Sequence, residues 1–316
     1  VEKILRRPRC ALFLDMGLGK TVCALTAVRE LMYNRFEVSR VLVIAPLRVA
    51  SVTWPAEIAK WDHLNALRCV KILGSVQRRK LALQTVGDVY VINRENTQWL
   101  VNYCADYLGR WPFDMLIVDE SSSFKNPKSK RFRSLRKVAP IAKRIVLLTG
   151  TPTPNGLLDL WAQIFLLDQG ERLGRTVTSY RDRFFDAGRR SWANPQVVYE
   201  YKPKPFAERE IYSLISDVAI SMRAEDYIKM PDRVDNIIKI EMPAKLKKLY
   251  DEMAKKAVLE FEELEAKKQV TAGSRAVLIN KLLQIANGAV YTETGDVVHV
   301  HDLKLEALEE IIEVNE

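Results

Sequence analysis

The run Gly17-Leu18-Gly19-Lys20-Thr21 combines two glycines, a lysine and a hydroxyl where a short apolar stretch gives way to a helical pattern. Glycines let a backbone curl until its N–H groups face one point, and a helix N-terminus behind them adds positive partial charge. A neighbouring ammonium suits β- and γ-phosphate oxygens, and a threonine hydroxyl is an oxygen ligand for Mg²⁺. Gly17, Leu18, Gly19, Lys20 and Thr21 are therefore the candidate phosphate cradle, with Thr21 on the metal. The spacing departs from G-x-x-x-x-G-K-[ST], because Leu14 stands where the first glycine would fall. The plainer alternative is a glycine-containing turn with an exposed lysine.

A second candidate is Met115-Leu116-Ile117-Val118-Asp119-Glu120, an apolar strand ending in two acids. An aspartate there holds the water shell of Mg²⁺, and the adjacent glutamate orients and deprotonates an attacking water. Asp119, Glu120 and Lys20 are the candidate catalytic residues, with Asp119 sharing the metal with Thr21. Acids facing solvent near Lys125 and Lys128 are the competing reading. A third run, Leu148-Thr149-Gly150-Thr151-Pro152-Thr153-Pro154-Asn155, places small hydroxyl residues at another strand end. Thr149, Gly150 and Thr151 are candidates to bridge the acids to whatever lies across a cleft; a Pro-rich turn closing the sheet is the alternative.

Positioning these groups takes a scaffold. Short Val-, Ile- and Leu-rich runs at 10–14, 41–45, 69–73, 89–93, 115–118 and 144–148 predict strands covered on both faces. Helical patterns at 20–34, 51–60, 77–84 and 94–108 alternate with them. The expected fold class is α/β, a doubly wound, mainly parallel sheet, whose carboxyl edge collects ligands. Beyond Pro154 the pattern changes. An amphipathic helix is expected over 156–168, and residues 170–194, rich in Arg, Gly and aromatics, read as a surface insertion. Strand character returns at 215–221 and alternation at 234–241; helices follow at 244–268, 274–287 and 303–314, with Gly288 as a C-cap and a hairpin turn at 292–296. The expected division is 1–155 core, 156–213 helical insertion or protrusion, 214–232 return to the core, and 233–316 C-terminal helical extension.

At 316 residues the chain amounts to about two domains. Hydrophobic residues at 48% and charged residues at 28% exclude a disordered, collagenous or small disulfide scaffold. The net charge of +9 favours a polyanionic partner. Four scattered cysteines without a C-x-x-C pair argue against disulfides and zinc, and fit a reducing compartment. No apolar run is long enough for a bilayer. The start lacks both Met and a signal-peptide cleavage site, so an origin inside a longer protein is expected. His299 and His301 share one strand face, but no Cys or third His completes a metal site. The segment 172–192 could meet a nucleic-acid backbone or form a solvated protrusion, and 245–268 reads as an ion-paired helix. Trp54, Trp61, Trp99, Trp111 and Trp161 read as packing residues.

Taken together, these runs resemble the Swi/Snf-type ATPases of helicase superfamily 2, and the short phage and bacterial members in particular. The resemblance is carried by Asp15–Thr21 as motif I, Val43-Ile44-Ala45-Pro46 as motif Ia, Val118-Asp119-Glu120-Ser121 as motif II and Leu148–Pro152 as motif III, with Ile220–Tyr227 as the segment closing the first lobe and Gln284–Gly288 and His301–Leu305 as the lead-in to the second, whose start is expected within 233–316. It implies a RecA-like P-loop NTPase lobe, ATP and Mg²⁺, and a nucleic-acid-stimulated hydrolysis that steps two lobes along double-stranded DNA. It places Pro46 and Arg48 where motif Ia meets the phosphate backbone, and gives Thr149 and Thr151 the coupling role. Motif II reads D-E-S-S, so Ser122 stands where many relatives have the His that links motif II to motif III; altered coupling is expected. The second lobe's motifs, with the family's arginine finger, are expected outside this chain, and so is the adenine-reading glutamine motif. The resemblance implies a cytoplasmic protein of a bacterium or phage-infected host, with no membrane partner. A P-loop enzyme acting on a small molecule, and a non-hydrolysing nucleic-acid or protein adaptor on the same fold, are the alternatives.

Overall fold

The computed structural model describes residues 1–188, 198, 200–223, 236–248, 250–255, 272–292 and 296–315. Its centre is one parallel sheet. The strands are β1 (Arg9–Leu14), β2 (Val41–Ala45), β3 (Cys69–Ile72), β4 (Val89–Asn93), β5 (Met115–Asp119), β6 (Arg144–Thr149) and a later strand (Ala219–Met222), in the order β3-β4-β2-β5-β6-β1 with the later strand at the edge beside β1. Every pairing is parallel, and the six strands expected in the first half are all present within a residue or two of their predicted ends. Central strands with no solvent face need apolar side chains on both sides, which is why β2, β4, β5 and β6 are buried at every position.

Alternation along each strand divides the core between the two faces. Cys10, Leu12 and Leu14 pack with Met115 and Ile117 under α1 (Glu2–Arg6), α2 (Lys20–Arg29) and α3 (Trp54–Lys60). Ala11 and Phe13 pack with Leu116 and Val118 on the opposite face, under α4 (Val76–Gln84), α5 (Thr97–Tyr103), α6 (Lys130–Val138) and α7 (Leu160–Asp168). Helix α6 has no counterpart among the helices predicted from patterning. Ser129 caps it by accepting from the Phe132 N–H, and Phe132, Leu135 and Val138 form its buried stripe.

Two expectations change here. The 156–168 segment is not amphipathic: from Leu160 to Leu167 every residue of α7 is buried, because the helix lies under further helices as well as on the sheet. The aromatics expected on a surface insertion also lie in this core. Tyr180 and Phe184 on α8 (Val177–Phe184) are fully buried, as are Ile211 and Ile215 on α9 (Ala207–Ile215). Arginines interrupt the apolar spacing of α8 and give it a surface look, yet Arg181 and Arg183 lie over Tyr201 and Phe184 rather than displacing the aromatics. Trp192 lies outside the described residues, as do parts of the 234–241 and 244–268 predictions.

The strand expected over 215–221 is shorter and later, since α9 runs to Ile215 and the edge strand begins at Ala219. Residues Val1–Met230 form one unit and Pro231–Glu316 another. Within the second, residues 244–248 and 250–255 are helical, a helix spans Ala272–Ala286, Ala289–Tyr291 pairs antiparallel with Val297–His299, and a helix spans Leu303–Asn315. All four cysteines are free, and no described helix is long and apolar enough to cross a membrane.

Phe165 sits at the crossing of α6 and α7, with its ring against Trp161 and Phe132 and the Arg136 guanidinium over its face. Phe165→Ala should lower the unfolding free energy by about 3–5 kcal/mol, read from denaturant titration, through lost burial and the cavity left behind.

Candidate nucleotide-binding site

The glycine loop joins β1 to α2. Gly17 and Gly19 have φ of 82° and 69°, a left-handed backbone that side chains adopt only under strain. Gly19 is the N-cap of α2, so the chain turns directly from the loop into the helix that begins at Lys20. Lys20 Nζ donates to the carbonyls of Leu14 at 2.7 Å and Asp15 at 3.0 Å. The ammonium is thereby folded back over the start of the loop, at the carboxyl end of β1.

The register brings the three candidate runs to one edge. Leu148 on β6 pairs with both Asp119 on β5 and Leu12 on β1, and Thr149 pairs with Phe13. Two strand spacings, about 10 Å, therefore separate the backbone of Asp119 from that of β1. Gly150 fills the gap beyond: a Cβ there would stand 3.3 Å from the Leu14 carbonyl oxygen and 3.6 Å from Asp15 Cα. A side chain there would be crowded, so glycine suits the close approach of the motif III turn to the glycine loop.

Strand parity decides which acid faces which side. Asp119 follows Met115 and Ile117 on the face covered by α2 and α3, and it is only 7% exposed. Its Oδ2 accepts the indole N–H of Trp54 at 2.9 Å, and its Oδ1 accepts the Glu120 N–H at 3.0 Å. Burial pushes the Asp119 carboxyl above its ordinary range and the Glu120 charge adds to that, while the Trp54 and Glu120 donors and the Lys20 charge pull it back. The Lys20 charge therefore acts on Asp119 across the sheet edge. Glu120 itself has φ of 50°, a left-handed turn at a non-glycine residue costing about 1 kcal/mol, and its Oε2 accepts the Thr149 hydroxyl at 3.2 Å. Thr149 Oγ1 in turn accepts the Thr151 N–H at 3.1 Å, so motifs II and III are joined by side chains.

A second link between them passes through α7. Ser121 donates to Gln163 Oε1 at 2.7 Å, and Gln163 Nε2 donates to the Pro152 carbonyl at 2.7 Å. Ser121 and Glu120 therefore make the connections expected of Ser122, which is only partly buried. Trp54, Ser121 and Gln163 are not among the sequence-predicted site residues. Gln163 could have been noticed as the sole amide within Leu-Trp-Ala-Gln-Ile-Phe-Leu-Leu, since a buried amide needs partners. Trp54 carries a weaker signal of the same kind, the indole N–H that seeks an acceptor when buried.

Of the remaining predicted residues, Thr21 is half-buried in the first turn of α2, one position beyond Lys20. Pro46 and the exposed Arg48 follow β2 at the same carboxyl edge. The donor set fits Mg²⁺ and a triphosphate: a hydroxyl and a carboxylate are hard oxygen ligands, and Mg²⁺ in phosphate sites takes one or two such groups and completes its shell with phosphate and water. Among the described residues no group of three or more His, Cys, Asp or Glu is arranged for a metal ion. His299 and His301 bond instead to Asp302 at 2.8 Å and to the Ile285 carbonyl at 2.9 Å.

Comparison with known proteins places this geometry in a family. The SNF2-related domain matches residues 6–288. Protein p41 of Acyrthosiphon pisum secondary endosymbiont phage 1 is 38% identical over 319 aligned residues, covering 99% of this chain and 67% of p41. The ATP-dependent helicase brm of Drosophila melanogaster is 28% identical over 274 residues, covering 86% of this chain but 16% of brm. The Sulfolobus solfataricus SWI2/SNF2 ATPase core, solved in complex with dsDNA, shares the fold with a TM-score of 0.55 at 22% identity, over 96% of this chain and 59% of that one. The chain thus spans only part of the length of each of these three proteins. With nearly all of its length inside the match, the chain belongs to the SNF2-related domain family.

Proposed function

We propose that this chain is the ATP-binding lobe of a DNA-dependent ATPase, a translocase or remodeller on double-stranded DNA that hydrolyses ATP to ADP and phosphate. The observation that carries the reading is the convergence of three strand ends. Lys20 on the β1 loop, Asp119 and Glu120 on β5, and Thr149 on β6 lie at one sheet edge, with the Thr149 hydroxyl on Glu120 and the Lys20 charge acting on Asp119. A P-loop enzyme for a small molecule would account for the loop and the acids but leaves the match to the SNF2-related domain over residues 6–288 unexplained.

In this reading the loop N–H groups and Lys20 hold the β- and γ-phosphates, and Thr21 and Asp119 hold Mg²⁺, which neutralises charge as the γ-phosphoryl leaves. Glu120 is placed to orient water and take its proton. The Thr149 hydroxyl fixes the Glu120 carboxylate and ties it to the motif III turn, so a shift of that turn moves the base. Arg48 at the exposed edge offers a charge to the phosphate backbone, in accord with the net charge of +9. A second lobe closing on this edge would supply an arginine finger, worth about 10³–10⁵ in rate.

Lys20→Ala should weaken binding of a fluorescent ATP analogue in the presence of Mg²⁺ by about 10–100-fold, the loss of one charge-assisted contact. Glu120→Gln should leave that binding within about twofold and lower turnover of the full-length protein by about 10²–10⁴. Unchanged turnover would point to a non-hydrolysing adaptor. Arg48→Ala should weaken duplex binding at all sequences alike and reduce the slope of log affinity against log salt by about 1.

A further inference from the structure

Trp54 is fully buried, and its indole N–H meets the Asp119 carboxylate. Its N–H on Asp119 Oδ2 and the Glu120 N–H on Oδ1 each take one of the roughly four lone-pair sites of an ionised carboxylate. One site on each oxygen stays open, and rotation of the carboxylate would break both bonds. Asp119 is too deeply set for bulk water to replace them.

The indole lies midway along a helical element whose first residues, Leu47 and Arg48, are exposed. Residues 47–60 are helical without a break, passing through a π-helical turn at Val49–Thr53, a form that recurs at functional sites. The Ala50 N–H donates to the Pro46 carbonyl at 2.8 Å, so the rod is anchored to the end of β2. Arg48 and Trp54 are separated by about 9 Å along its axis. Arg48 and Trp54 therefore ride on one continuous helical element, which joins the exposed edge to the buried carboxylate.

We propose that Trp54 is a positioning residue that aligns the Asp119 carboxylate for Mg²⁺ and carries the engagement of Arg48 with a DNA phosphate to that carboxylate. The inference rests on the phosphate-site reading above. It makes DNA binding and metal binding one coupled equilibrium, in which each must shift the other by the same factor.

The test is a Mg²⁺ titration of fluorescent ATP-analogue binding by the full-length protein, with and without saturating duplex DNA. Trp54→Phe keeps an aromatic ring and removes the donor. It should raise the Mg²⁺ midpoint about tenfold, as loss of a ligand-orienting partner does, while Mg²⁺-free nucleotide affinity stays unchanged. Trp161→Phe removes a buried indole whose N–H donates to the Gly174 carbonyl at 2.9 Å, away from the site, and should move neither quantity. Duplex DNA should shift the midpoint of the unsubstituted protein, and that shift should vanish in Trp54→Phe. It should vanish also in Arg48→Ala at saturating duplex, a variant of an exposed residue that keeps the fold intact. Equal loss of Mg²⁺-free and Mg²⁺-dependent binding in Trp54→Phe, or no change at all, would overturn the positioning role. A duplex-induced shift that persists in Arg48→Ala would overturn the coupling. Absence of Mg²⁺-dependent binding in the unsubstituted protein would overturn the phosphate-site reading and this inference with it.

Discussion

Two adjacent carboxylates at the end of a buried strand repel each other where water cannot screen them, and the carboxyl edge of the sheet is organised around keeping both in place. Asp119 is almost fully enclosed, and burial alone raises its affinity for a proton. The opposing contributions come from separate parts of the chain: the indole of Trp54 after β2, the backbone of Glu120 itself, and the ammonium of Lys20 after β1. Glu120 is turned away from its neighbour by a left-handed backbone and held by Thr149 from β6. An ionised Asp119 therefore depends on elements from β1, β2 and β5 meeting at one edge, which a folded doubly wound sheet provides and a local segment does not.

The two faces of the sheet contribute differently. On the α2 and α3 face lie the groups that touch Asp119 and the phosphate loop, mounted on helices that start at the edge. On the opposite face, α7 is wholly buried and serves as a rigid backing through which Gln163 joins Ser121 to Pro152. Motif II and motif III are therefore linked twice, once at Glu120 and Thr149 and once through Gln163. Closely packed interiors move as units rather than bending locally, and Thr149, Ser121 and Gln163 tie the two strand ends into one such unit.

Most of the scaffold was legible from patterning. Short continuous runs of Val, Ile and Leu bounded by turn residues fit strands covered on both sides, and the six such runs of the first half are strands of the sheet. Patterning misplaced what contact decides. The 156–168 segment looks amphipathic because Asp159 and Gln163 punctuate it, yet Gln163 is buried with three hydrogen bonds. Arginine-rich α8 looks like a protrusion, but long cationic side chains can lie over aromatic rings and leave those rings inside.

The candidate site divides in the same way. Residue type and order by themselves picked out the glycine loop with Lys20 and Thr21, the acids closing β5, and the small hydroxyl residues closing β6, because glycines, a lysine, paired acids and hydroxyls stand out chemically at the ends of apolar runs. Only the tertiary structure decided that Thr149 bonds Glu120, that Gly150 lies close against the Leu14 carbonyl, and that Trp54 holds Asp119. Those contacts join residues tens of positions apart, and they exist because β6 lies between β5 and β1 in the sheet, an order set by packing and connection handedness rather than by any one segment.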